Sequence, residues 1–320
     1  MHPAFSVIFL TTLIGAGQGL FLALFAAELG ARLGWLDPAD AGFYVGGAVL
    51  VCGLMVMGLI ASIFHLGRPE RGWRAATRWR TSWLSREIIV LPLFVAGAVA
   101  YGAAHWILGT GWMQPLPLST LAIGAVTALL SLALFISTGM IYACLKFLQE
   151  WATPLTVANY LLLGCASGFT LATAYAAAAE PALAPFFGAS ALALSGLALV
   201  TRSASLIRNA RLKPRSTLQS AIGIKHPRIV QMAQGMMGGA FNTREFFHGR
   251  TRAFMRSLKW IFLVLTFPVP AVLLVAGLAL GSLPLLGLAF LVQYLGLLAE
   301  RWFFFAQANH PQNLYYQAVA

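Results

Sequence analysis

Eight apolar runs, each long enough to cross a bilayer and nearly free of charge, constrain this chain more than any other feature. They lie near Phe5–Ala27, Phe43–His65, Glu87–Ile107, Leu118–Phe147, Leu155–Ala178, Phe186–Ile207, Leu258–Leu280 and Leu283–Phe305. A bilayer core of ~30 Å takes ~20 helical residues, and inside it every backbone polar group must be satisfied within the segment itself. Charged residues make up only 9% of the 320, against about 25% in soluble domains. With so few charges, lipid must be the solvent for most of the surface. The expectation is an all-α integral membrane fold: one polytopic domain over residues 1–320, an eight-transmembrane-helix bundle.

Local chemistry refines the spans. Gly281-Ser282-Leu283-Pro284 divides a run from Ile261 to Phe305 that is too long for one crossing, so a tight hairpin is expected there. Pro268 and Pro270 each remove a backbone donor and should bend span seven, and Pro92 should act likewise in span three. No basic segment precedes the first run, so it reads as a retained helix. Cys52, Cys144 and Cys165 fall in separate spans without paired spacing, which argues against a disulfide framework or a metal site.

Charge then sets topology. Of the 21 Lys and Arg residues, only Arg32 falls on the side opposite the others. The positive-inside rule puts the basic side, with both termini, in the cytoplasm. The localisation expected is a bacterial inner membrane. Glu28, Asp37, Asp40 and Glu180 fall in the short opposite loops. The segment from about 208 to 259, between spans six and seven, is the one sizeable loop. It is basic but carries Met232, Met236, Met237, Phe241, Phe246 and Phe247, which suits packing on a partner or on membrane lipids. Beside membrane spans this charge already has an explanation, so no nucleic-acid partner is expected.

Chemistry in such a chain belongs to polar groups at the membrane edge. Span two ends at His65 and span three begins at Glu87, both on the basic side, joined by a short loop with Arg71. A histidine that titrates near neutrality beside a carboxylate suits proton-coupled work on a lipid-soluble quinone. His65 would bond one quinone oxygen, Glu87 would relay protons, and Arg71 would hold the carboxylate or orient the headgroup. Both residues also have ordinary explanations. A histidine suits the last turn of a helix, and an acid behind Ser85 suits the first turn of the next. Gln18, among the glycines of Gly15-Ala16-Gly17-Gln18-Gly19, is an interhelical hydrogen-bonding group or a ligand group. Glu300 and Arg301 read as a salt bridge or interfacial charges. No haem is expected. His65 and His105 are the histidines in or near spans, and His105 follows Glu87 by eighteen residues, ~27 Å along the axis. Buried ionisable residues at mid-depth are expected to be nearly absent, which weighs against a transporter, although the prolines of span seven are a feature of some.

His65-Leu66-Gly67-Arg68-Pro69, with Arg71 and Leu84-Ser85-Arg86-Glu87-Ile88, resembles the membrane anchor subunits of dimethyl sulfoxide reductases. The resemblance extends to Gly17-Gln18, Trp151-Ala152-Thr153-Pro154 and Glu300-Arg301. It implies eight spans, no haem, and electron exchange between membrane quinone (ubiquinone or menaquinone) and an iron–sulfur electron-transfer subunit. That subunit in turn serves a molybdopterin catalytic subunit, both on the cytoplasmic side. It carries the quinone-site roles onto His65, Glu87 and Arg71, with Gln18 nearby. The long loop, with Gly223 to Gln231 and Phe241 to Gly249, is more similar to the sulfite:quinone branch. That likeness implies electron flow from sulfite to quinone, with a quinol-oxidising reductase anchor as the alternative.

Overall fold

A computed structural model describes residues 1–109, 118–233 and 241–317. Among the described residues there are eight helices long and apolar enough to span a membrane: Phe5–Arg32, Ala41–Ile63, Trp83–Leu108, Leu118–Ala143, Pro154–Ala179, Pro181–Ala210, Arg252–Ala279 and Leu283–Ala306. They are called spans one to eight below. Met236 and Met237 of the long loop lie outside the described residues.

Spans one and five are the core. In their most apolar windows 72% and 67% of residues are buried, against 28–39% for the rest. Span one packs on spans two, four, five and eight, and span five on spans one, four, six and eight. Glycine permits the closest approach. A Cβ on Gly168 would fall onto the backbone of Gly19 and Leu20, and one on Gly19 onto the Gly164 carbonyl. With no hydrophobic drive between helices in lipid, such backbone contact supplies the packing.

The expected punctuation takes form. Span seven is two helices, Arg252–Thr266 and Pro268–Ala279, broken at Phe267. Gly281 at φ 58° turns the chain into span eight, and the Ser282 amide donates to the Gly277 carbonyl. Pro92, by contrast, sits within one continuous helix.

Several boundaries differ from the sequence reading, for one reason: hydropathy runs stop at a charge, whereas helices continue through it. Span one runs on to Arg32, which places Glu28 inside it and buried rather than in a loop. Arg202, inside span six as expected, is buried there rather than facing the basic surface. Span seven begins at Arg252, so Arg252, Arg256 and Lys259 belong to its first turns. Span three begins at Trp83, and the Ser85 amide donates to the Ser82 hydroxyl, so Ser82 rather than Ser85 caps it.

The long loop is no free linker. Tyr315 donates to the Ala221 carbonyl, Asn242 to the Tyr316 hydroxyl and Asn313 to the Phe246 carbonyl. His310 stacks on Phe246 at 3.9 Å. Arg208 and Asn209, at the end of span six, bond the carbonyls of Gln149 and Glu150. Loop, tail and the turn before span five thus form one layer over the basic end of the bundle.

Candidate functional site

Glu87 occupies the first turns of span three. Its side chain points inward, where Thr138 of span four donates to its carboxylate. It lines an internal cavity of ≈ 20 Å³ together with Gln18, Thr138, Tyr160 and Arg301, enough for about one water. Gln18 comes from span one, and its amide nitrogen donates to the Ser131 carbonyl at 3.0 Å. Tyr160 comes from span five and Arg301 from span eight. Five spans therefore meet at this cavity in the half of the bundle nearer the basic end.

Arg301 is held from two sides. Its guanidinium carbon lies 3.6 Å from the centroid of the Tyr160 ring, a desolvated cation–π contact. Its Nε lies 3.6 Å from one oxygen of Glu300, whose other oxygen is 2.8 Å from the Arg202 Nε. All three side chains are buried. Two guanidiniums share one carboxylate, so the triad carries one surplus positive charge. Arg301 brings it to the cavity that Glu87 also lines. Around this core Tyr142, Trp151, Tyr160, Phe304 and Phe305 pack ring on ring, and the Trp151 indole donates to the Phe304 carbonyl.

His65 and Arg71 lie elsewhere. His65 is exposed, two residues beyond the end of the helix of span two, its amide bonded to the Ser62 carbonyl. Partial burial pushes its imidazole below the ordinary value. Arg71 sits in the 3-10 turn Pro69–Arg78, exposed, and its Nε approaches the exposed Glu70 at 3.8 Å rather than Glu87. Neither residue lines the Glu87 cavity. Of the four expected residues, the structure brings Glu87 and Gln18 together and leaves His65 and Arg71 on the adjoining surface loop. That loop is braced by Arg86, which stacks on Trp83 at 4.0 Å and donates to the carbonyls of Trp79 and Arg80.

Sequence reasoning missed Thr138, Tyr160 and Arg202. Thr and Tyr are commonplace in spans and give no signal. Arg202 fell within span six but was counted only with the basic charges at its border, not as a site residue. Sequence reasoning also missed a second buried cluster at the other end of the bundle, where His105 was placed in span three but Glu28 was assigned to a loop. There Glu28 accepts from Tyr101 at 2.6 Å and from Thr120 at 2.5 Å, and lies 3.6 Å from the His105 Nε2. His105 stacks on Tyr44 at 4.3 Å and meets Tyr101 edge-on at 4.6 Å. Among the described residues no group of three or more His, Cys, Asp or Glu is placed to hold a metal ion.

The family model described as DMSO reductase anchor subunit (DmsC) matches residues 1–316. A sulfite dehydrogenase subunit of Allochromatium vinosum is 55% identical over 328 aligned positions, covering the whole of both chains. The anaerobic dimethyl sulfoxide reductase chain YnfH of Escherichia coli K12 is 30% identical over 170 positions, 51% of this chain and 57% of that one.

Proposed function

Because the chain belongs to the DMSO reductase anchor subunit family, we propose that it holds an iron–sulfur subunit and a molybdopterin catalytic subunit at the cytoplasmic face of an inner membrane and passes electrons between them and membrane quinone, in sulfite oxidation. The chain is a membrane anchor subunit. Sulfite is favoured as the source of electrons because the full-length relative at 55% identity is a sulfite dehydrogenase subunit, whereas the dimethyl sulfoxide reductase chain aligns over half. The basic layer over the bundle end, by its charge, belongs in the cytoplasm.

One observation carries the quinone reading: a carboxyl within the membrane, at the wall of a water-sized cavity near the basic end, with a guanidinium, an amide and a phenol around it. Reduction of a quinone takes two electrons and two protons. Oxidation of sulfite with one water releases two of each, so the overall reaction balances. The donor set suits protonation beside two carbonyl oxygens, but ≈ 20 Å³ takes a water and not a ring. Glu87 is therefore the inner end of the proton path, holding a proton at its carboxyl and exchanging it through that water. Gln18 and Thr138 fix the carboxyl and the water. Arg301 supplies positive potential when charge builds on the acceptor. The ring itself docks nearer His65, whose imidazole makes one hydrogen bond with it at the loop.

The test is sulfite-dependent quinone reduction by the whole complex in vesicles. Glu87→Gln should lose it at least 100-fold, the scale of a lost general acid–base, while sulfite oxidation with a soluble dye persists. Unchanged quinone reduction in both Glu87→Gln and His65→Ala would remove the assignment. Dimethyl sulfoxide reduction by quinol, with no sulfite activity, would favour the opposite direction of flow. With the protons of both half-reactions on one side, turnover should build no membrane potential.

A further inference from the structure

On the lipid side of the basic end, spans one, seven and eight enclose a groove of ≈ 290 Å³. Phe5, Phe9, Leu258 and Leu298 form its walls. Phe254 and Trp302, 5.4 Å apart in an edge contact, close its polar end. Arg250 stands at that end, its guanidinium 5.5 Å from the Phe254 ring. No described carboxylate lies within ion-pairing distance of it.

The groove is not an arm of the Glu87 cavity. Phe9 and Gln18 are nine residues apart on span one, about two and a half helical turns, and so face opposite ways. Depth is informative too. Arg250 precedes the start of span seven at Arg252, whereas Leu258 lies six residues inside it, ~9 Å deeper. The feature is thus a slot at acyl-chain depth with an unpaired cation at headgroup depth. The His248 imidazole, whose Nδ1 accepts from the Arg250 amide at 3.0 Å, is pushed down by burial and by the charges of the Met1 amine and Arg250. Burial in turn lowers the Met1 amine to about 6. A guanidinium keeps its charge in proteins, so Arg250 offers a fixed positive charge at this end of the groove.

We propose that this groove is a binding site for one anionic phospholipid, with an acyl chain between spans one, seven and eight and the phosphate on Arg250. A neutral quinone would offer Arg250 carbonyl acceptors but no counter-charge, and in a zwitterionic lipid the headgroup's own cation competes for the phosphate. The lipid would also tie the start of span seven to span one and steady the layer above.

Native mass spectrometry of the full chain, released from mild detergent with added phosphatidylglycerol or phosphatidylcholine, tests this. We expect about a fivefold preference for phosphatidylglycerol in the last retained adduct, the scale of one cation near an anionic headgroup. Arg250→Gln should abolish the preference, while Arg250→Lys and the exposed loop variant Arg228→Gln keep it. Circular dichroism would establish that each variant keeps its helix content, and only variants that do are compared. Equal retention of the two lipids by the native chain, or an undiminished preference in Arg250→Gln, would overturn the site. So would displacement of the lipid by a quinone at equal concentration.

Discussion

The bundle buries a carboxylate cluster toward each end, and the two are built differently. At the basic end Glu300 sits between Arg202 and Arg301, and Glu87 shares a cavity wall with that second guanidinium. At the other end Glu28 is satisfied by the hydroxyls of Tyr101 and Thr120 and approached by an imidazole packed against two tyrosines. The difference lies in what remains when the acid is removed. Hydroxyls and an imidazole can stay neutral and find other partners, whereas guanidiniums cannot. The far cluster therefore reads as a tie between spans one, three and four. The near one reads as a fixed source of positive potential beside an acid that can change its protonation.

The largest effect should follow from Glu300→Gln. It leaves two buried cations without a counter-charge, and breaking such an arrangement costs about 3–5 kcal/mol. Thermal unfolding in detergent should show a large loss of stability, and the complex should fail to assemble. A variant that unfolds like the parent chain would mean that the triad is far wetter than its burial indicates. Next comes Glu87→Gln, which should change stability by less than ~1 kcal/mol, since an amide still accepts from Thr138. Its loss of at least 100-fold in quinone reduction should be confined to that step. Glu28→Gln should reverse the pattern, with about 1–2 kcal/mol less stability from weakened hydrogen bonds and quinone reduction within about twofold of the parent. If Glu28→Gln also stopped electron transfer, the two ends would be functionally coupled and the comparison would fail.

Which of these residues could be read from the chain follows from what a linear pattern holds. The eight spans were legible because hydropathy and length determine them, and the hairpin at Gly281 and the break at Phe267 because glycine and proline announce them. Glu87 stood out as an acid at a span start, and Gln18 as an amide within apolar neighbours. That they face one cavity depends on the rotation of five helices, which no local pattern fixes. Glu28 was misread because a charge next to an apolar run looks like the end of a helix, and Arg202, within its run, was counted only as part of the basic face. Each is instead buried against a partner from a distant span, Tyr101 and Glu300, which supplies the compensation that membrane burial demands. His65 and Arg71 were paired with Glu87 because the two helix ends share the basic side and because of the resemblance to the reductase anchors, but the loop between spans two and three holds their side chains away from the Glu87 cavity.

That separation gives the smallest expected effect. Arg71 has only Glu70 as an ionic partner among the described residues, at 3.8 Å, and the two side chains are 51% and 66% exposed. An ion pair in water at such a distance is screened and contributes little. Arg71→Ala should therefore shift thermal unfolding by less than ~0.5 kcal/mol. If Arg71 orients the quinone from the loop, its loss should raise the KM for quinone while leaving kcat near the parent value, because uniform binding is lost and the Glu87 proton path is intact. A fall in kcat with unchanged KM would instead place Arg71 in the proton-handling machinery, and the division between buried cluster and surface loop would have to be redrawn. The same assay on Glu87→Gln should give the opposite split, with kcat lost and KM kept, so the two variants together locate the ring relative to the carboxyl.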